Sequence, residues 1–333
     1  MLSADSAVSD RFELIEVPRA QGARSFADDL VEGLTSPSKR LSSKYLYDDV
    51  GSALFDAITH LPEYYLTGAE TEILREWGWE IVRMFEEPID FLEAGSGSAI
   101  KTRVLIAEAL RVQDRLRYSP IDISTQALHA SSMALVESFD KLSIRAYAGD
   151  YFDVLSSEKL RLGRRTLAMF MGSNIGNYEP TDASRMLRLL GSALRKGDGL
   201  LLGVDLKKDV ETLRAAYDDV AGVTSAFNKN LLSRINREFD GNFEVRNFKH
   251  IVRYDEERGS VDSFLEAQSP ETVVLRKPGI ELSFAAGERI HTESSYKFSN
   301  EDVARLAADA GFTVRKTWQD RRDRYSVRLL IKA

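Results

Sequence analysis

The chain contains no cysteine, which excludes disulfides, thiolate metal sites and cysteine nucleophiles and agrees with a reducing cytoplasm. Histidine is scarce as well. His60, His129, His250 and His291 are scattered without paired spacing, so no metal site is read from them. Positive charge is not in excess: 45 Lys and Arg against 52 Asp and Glu leave a formal net charge of −7. Such a chain lacks the broad cationic field that attracts phosphate backbones, which reads against nucleic acid as a partner. Long apolar runs are missing too. Leu167–Met171 and Leu200–Leu202 fall far short of the roughly 18 residues of a membrane span. Met1-Leu2-Ser3-Ala4-Asp5-Ser6 has neither a basic start nor an apolar stretch, which reads against a secretory signal. The 333 residues are 43% hydrophobic and 29% charged, the usage of a cytosolic globular protein with material for about two domains.

Residues 1–25 show no clear periodicity, and 1–15 read as a loosely attached segment. Leu41–Tyr65 is rich in aromatic residues: Tyr45, Tyr47, Phe55, Tyr64 and Tyr65. Thr67-Gly68-Ala69-Glu70 matches a capping box and predicts a helix that starts there and stops before Pro88. Strands are then predicted at Ile89–Ala94, Tyr118–Ile123, Ile144–Ala148, Arg165–Met171 and Gly199–Asp205. Between them lie helical stretches at Ile100–Arg111, Gln126–Phe139 and Thr181–Leu194. Such alternation predicts βαβ units, a parallel sheet with helices on both faces and hence an α/β fold.

The alternation breaks after Lys207. Val210–Asp218 and Val223–Phe239 read as helices, the second with Phe227, Leu231, Ile235 and Phe239 as a core stripe. Phe248–Tyr254, Val261–Glu266, Thr272–Val274 and Ile280–Phe284 read as short strands. A helix at Asn300–Ala310 and strands at Thr313–Trp318 and Tyr325–Ile331 resume the first pattern. The expected organisation is one α/β domain from 69–206 and 298–333, and a second, α+β domain from 16–68 and 207–297.

Glu93-Ala94-Gly95-Ser96-Gly97-Ser98 follows a predicted strand and opens a helix, a place where backbone can approach a negatively charged ligand. The third position of the dinucleotide fingerprint is Ile100, so a nicotinamide cofactor loses ground. An acid two residues before the first glycine instead resembles the opening of a class I methyltransferase, whose Rossmann-like sheet binds S-adenosyl-L-methionine (SAM). Asp122, ending the second strand, suits the two ribose hydroxyls. Asp150 suits the adenine amino group, with Tyr151 against the ring, and Lys101 suits the methionine carboxylate. These acids lie at the ends of successive strands, where open sheets bind ligands.

Further motifs are Lys44-Tyr45-Leu46-Tyr47-Asp48, Leu61-Pro62-Glu63-Tyr64-Tyr65, Gly172-Ser173-Asn174-Ile175-Gly176-Asn177, Ala216-Tyr217-Asp218-Asp219 and Thr292-Glu293-Ser294-Ser295-Tyr296-Lys297-Phe298. From Leu41 to its C-terminus the chain resembles the L-histidine Nα-methyltransferases of ergothioneine biosynthesis, which form hercynine. The resemblance implies that Asn177 and Tyr217 hold the substrate α-carboxylate, with Asn177 also orienting the amine. It implies that Tyr64, Glu293 and Ser295 surround the imidazole, and that Tyr47, Phe55 and the Gly172 carbonyl lie near the amine. An amide and a phenol can hold a carboxylate without a cation that would repel the amine. A carboxylate and a hydroxyl can pair with the two imidazole nitrogens. In the segment Asp262-Ser263-Phe264, a small Ser263 stands where the family pattern leads us to expect a bulkier Met.

The implied reaction is three successive SN2 methyl transfers to the α-amine, with Tyr47 through a water, or bulk water itself, taking the proton. Two other readings are a related methyltransferase acting on another amino acid, such as tryptophan, and a catalytically inactive SAM-binding protein. The expected partner is a small amino acid, L-histidine, with no nucleic acid and no membrane; a monomer is the default.

Overall fold

Hydrophobic alternation after Pro88 becomes the centre of an eight-stranded sheet. The computed structural model describes residues 10–20, 22 and 24–333. In chain order its elements begin with β1 (Phe12–Glu16), α1 (Phe26–Thr35), α2 (Asp49–Thr59), α3 (Tyr65–Arg83), β2 (Ile89–Ala94), α4 (Thr102–Val112), β3 (Leu116–Asp122) and α5 (Thr125–Ser138). Next come β4 (Leu142–Ala148), α6 (Tyr151–Leu155), β5 (Arg165–Phe170), α7 (Pro180–Ala193), β6 (Gly199–Asp205), α8 (Val210–Ala215) and α9 (Val223–Phe239). The last are β7 (Phe248–Asp255), β8 (Ser260–Ala267), β9 (Glu271–Leu275), β10 (Ile280–Phe284), β11 (Arg289–Tyr296), α10 (Asn300–Asp309), β12 (Phe312–Gln319) and β13 (Tyr325–Lys332).

The described residues form two units. One comprises those before Gly22 with Gly68–Leu206 and Phe298–Ala333; the other comprises Gly22–Thr67 and Lys207–Lys297. In the first, the strand order is β1-β4-β3-β2-β5-β6-β13-β12. The pairs from β1 to β6 are parallel, and β13 pairs antiparallel with both β6 and β12. Every residue of β2 and of β6 is buried, as strands covered on both faces must be. This is a doubly wound, Rossmann-like arrangement with an antiparallel pair at one end, as the expected fold requires. The chain runs outward from β2 to β4 and then resumes at β5 on the other side of β2, so the ends of β2 and β5 flank the topological switch point.

Two expectations change here. The segment 1–15 is not loose throughout: residues 1–9 lie outside the described residues, but Phe12–Glu16 pairs in register with Ile144–Ala148. The second unit accordingly starts at Gly22, not at 16. The capping box at Thr67 does not form either. Helix α3 begins at Tyr65, and Glu70 lies inside it, fully buried. Its carboxylate accepts hydrogen bonds from the Lys101 ammonium, the Gly172 N–H (2.9 Å) and the Tyr325 hydroxyl (2.7 Å). Three donors, one of them charged and one fully buried, outcompete a single backbone N–H for that carboxylate.

In the second unit, β7, β8 and β11 form an antiparallel sheet in the order β11-β8-β7, and β9 and β10 pair separately. Helix α9 packs on α2 and on β7 and β8. Asp48 caps α2 by accepting from the Gly51 N–H at 2.8 Å, and it also accepts from Asn230 Nδ2 at 2.7 Å and from Arg237, both on α9. Burial alone would raise the Asp48 pKa, but these donors outweigh it and hold the group below its ordinary value.

Candidate active site

In the first unit the loop after β2 turns through left-handed backbone at Gly95 (φ 79°) and Gly97 (φ 48°). A Cβ on Gly95 would lie 2.7 Å from the Tyr151 hydroxyl and 3.0 Å from Asn174 Nδ2. The turn and the close approach both require glycine there. The Gly97 N–H donates to Asp122 Oδ2 and the Ser124 N–H to Asp122 Oδ1, each at 3.1 Å. The carboxylate at the end of β3 is thereby fixed against the glycine loop. Burial pushes its pKa up and the N–H donors oppose that. Asp150, after β4, caps α6 by accepting from the Phe152 N–H at 2.9 Å.

Glu93 is different. Its buried carboxylate accepts from the Thr102 hydroxyl at 2.7 Å and from the Tyr118 hydroxyl. Burial pushes its pKa up to about 7. It ties β2, just before the glycine loop, to the first turn of α4 and to β3. Lys101 pairs with Glu70, and its Nζ would lie 3.4 Å from a Cβ on Gly172. Ser173 next to it holds a left-handed φ of 57°, with its hydroxyl accepting from the Asp205 N–H at 3.0 Å. A non-glycine residue in that region stores strain, and such residues cluster at functional sites. Asn177, half-buried, ends the short 3₁₀ turn Asn174–Asn177.

The first unit thus brings together Gly95, Lys101, Tyr151, Gly172 and Asn174, the last not foreseen from the sequence. Positive-φ glycines, of which Gly95 leaves no room for a Cβ, beside acids at the ends of β3 and β4, fit a nucleoside ligand with a small charged tail.

The second unit gathers the remaining candidates. The Tyr47 ring meets Phe55 and Phe227 edge-on, each with centroids 5.4 Å apart. Phe55 meets Tyr64 at 6.1 Å, and Tyr64 meets Tyr217 at 6.3 Å. The Tyr217 hydroxyl lies 2.7 Å from Ser295 Oγ, and the Lys297 ammonium donates to both oxygens at 2.8 Å. Glu293, Ser295 and Lys297 follow at the two-residue spacing that puts side chains on one face of β11 and its end. Glu293 is buried, and among the described residues its carboxylate has no hydrogen-bond or ion-pair partner within bonding distance. Burial raises its pKa to about 7, against the opposing field of Lys297. Across the strand pair from it stands Ser263, buried, with no hydrogen-bond partner for its hydroxyl among the described residues.

Two residues here were missed. Phe227 counted only as core, and it is buried, but it also holds Tyr47 and Phe55. Lys297 was part of a motif without a role, and it places a cation against the Tyr217 phenol, which the sequence reading had without one. The two-residue spacing from Glu293 was a usable signal, but β11 itself was not predicted.

Comparison with known sequences agrees with these motifs. The profile of a family described as histidine-specific, SAM-dependent methyltransferases matches residues 26–332. A histidine N-alpha-methyltransferase of Mycolicibacterium smegmatis is 38% identical over 311 residues, covering 93% of this chain and 96% of that protein. One from Mycobacterium tuberculosis is 38% identical over 305 residues, covering 91% and 94%. An L-tryptophan methyltransferase of Psilocybe serbica is 26% identical over 322 residues, covering 89% and 90%.

Proposed function

The chain belongs to the family of histidine-specific, SAM-dependent methyltransferases, and from that premise we propose that it methylates the α-amine of free L-histidine three times to give hercynine, a step of ergothioneine biosynthesis. In this reading it acts as a cytoplasmic monomer. SAM, when bound, supplies an activated methyl group with its own leaving group. The first unit has the residues to hold it: Asp122 for the ribose, Asp150 and Tyr151 for the adenine, and the Gly95–Gly97 backbone with Lys101 for the methionine portion. Glu93 keeps that loop in shape.

The protein's own contribution is alignment and exclusion of water. Asn177 and Tyr217 hold the α-carboxylate. Tyr64, Glu293 and Ser295 take the imidazole, while Tyr47, Phe55 and the Gly172 carbonyl face the amine. Each transfer needs an unprotonated amine, and Tyr47 through a water, or bulk water, accepts the proton. The growing fixed positive charge is tolerated by the faces of the aromatic cluster.

The observation that carries the reading is Glu293. A buried carboxylate without a partner among the described residues is costly, and an imidazole N–H supplies the missing donor. An aliphatic side chain would leave it unpaired and be rejected. The similarity to a tryptophan methyltransferase keeps an indole substrate as the second reading, since its N–H can also donate.

Calorimetric titration of L-histidine, Nα,Nα-dimethylhistidine and L-tryptophan in the presence of S-adenosylhomocysteine separates these. The expected result is tighter binding of histidine and its dimethyl form, lost in Glu293→Ala. Preferential binding of tryptophan would overturn the substrate and leave the methyltransferase assignment standing.

A further inference from the structure

Behind Tyr217 and Ser295 sits the ammonium of Lys297, only 2% exposed. It donates to the phenol oxygen and to the serine oxygen at 2.8 Å each, and it lies 4.6 Å from the centre of the Tyr217 ring. The two hydroxyls are themselves 2.7 Å apart. An ammonium has three donors and no acceptor, whereas each hydroxyl has one proton and two lone pairs. Neither O–H can therefore point at Lys297. While the two hydroxyls bond to each other, one of their protons is used between them.

We propose that Lys297 is a positioning residue for the amino-acid substrate: by donating to Tyr217 and Ser295 together, it turns both O–H groups away from itself, the phenol's toward the α-carboxylate of L-histidine and the serine's toward an imidazole nitrogen. This rests on the substrate reading above. When both protons turn outward, the bond between the hydroxyls is lost, yet each buried oxygen still accepts from the ammonium and is not left unsatisfied. The same contact polarises both O–H groups, which strengthens them as donors to an anion and to a ring nitrogen. One cation thus sets the direction of two recognition groups that contact opposite ends of the substrate. Without it the hydroxyls would close on each other.

The test is a double-mutant cycle read in Michaelis constants. Lys297→Met is expected to raise the KM for L-histidine about tenfold or more, with the KM for SAM and kcat at saturating histidine within about threefold of the parent. Lys297→Gln keeps a neutral N–H donor and is expected to lose less; it also carries the comparison if the Met variant does not fold. In a Tyr217→Phe background, one of the two oxygens is gone, and Lys297→Met is expected to add less than about threefold. A full tenfold loss persisting in that background, or an unchanged histidine KM in Lys297→Met, would overturn the assignment. If Tyr217→Phe and Ser295→Ala by themselves leave the histidine KM unchanged, the substrate reading fails and this proposal with it. If they raise it while Lys297→Met does not, only the role of Lys297 fails.

Discussion

Glu293, in its proposed role, shows how a binding residue can work against the stability of its own fold. Its carboxyl titrates near 7 in the folded protein, raised by burial from an ordinary 4.5. Between those values the folded state binds a proton that the unfolded state has released, so stability falls as pH rises through that window and stays lowered above it. Glutamine has nearly the same shape and cannot ionise. Glu293→Gln is therefore expected to be more stable than the parent at pH 8, by up to roughly 3 kcal/mol, with little difference at pH 4. Urea unfolding at the two pH values measures this; equal stabilities at pH 8 would show that the carboxylate is not held in a raised state. At this scale the sequence identified residue types well and surroundings poorly. Glu293 and Ser295 were legible through a motif, and Lys297 stood in the same motif without a function. Its importance depends on Tyr217, which is 80 positions away in the chain.

Among the elements, α2 carries Phe55 and its start follows Tyr47, so its placement sets part of the aromatic cluster. The chain enters it through a tight turn in which a Cβ on Gly51 would lie 1.7 Å from the Leu46 carbonyl oxygen. No rotamer relieves a clash between Cβ and backbone. Gly51→Ala is expected to destabilise the protein by about 2–3 kcal/mol and to lower histidine affinity while the fold persists. Denaturant midpoints and calorimetry together check this, and an unchanged midpoint would mean that the turn can relax. Legibility differed between elements for a clear reason. The strands β2 and β6 are mostly apolar and buried on both faces, so short apolar runs mark them. By contrast β11, Arg-Ile-His-Thr-Glu-Ser-Ser-Tyr, is mostly polar and has no apolar alternation, although five consecutive residues from Thr292 are buried. A strand whose polar side chains serve a site hides its own periodicity. The capping box at Thr67 failed for the complementary reason: the local pattern was present, and distant donors claimed its glutamate.

For the whole molecule, the division of residues between two discontinuous units has a functional consequence. The nucleoside-binding candidates belong to the first unit and the imidazole-binding candidates to the second, so the two affinities should respond to different substitutions. Asp122→Ala is expected to weaken S-adenosylhomocysteine binding about 10- to 100-fold, whereas Glu293→Gln should leave that affinity, measured without histidine, within about twofold. Calorimetry on the two variants checks this. Equal losses of S-adenosylhomocysteine affinity in both would contradict the separation.

Local information was enough for much of this protein. The α/β alternation, the interruption after Lys207 and its end near Phe298, and the glycine loop could all be read from the chain, because backbone periodicity and turn chemistry depend on neighbours in sequence. Which polar groups are buried, and against what, could not be read. Glu70 meets Tyr325 across 255 positions, and Lys297 meets Tyr217 across 80. The state of a buried charge is set by the donors and acceptors that folding delivers to it, and those come from remote segments whose approach no local pattern encodes.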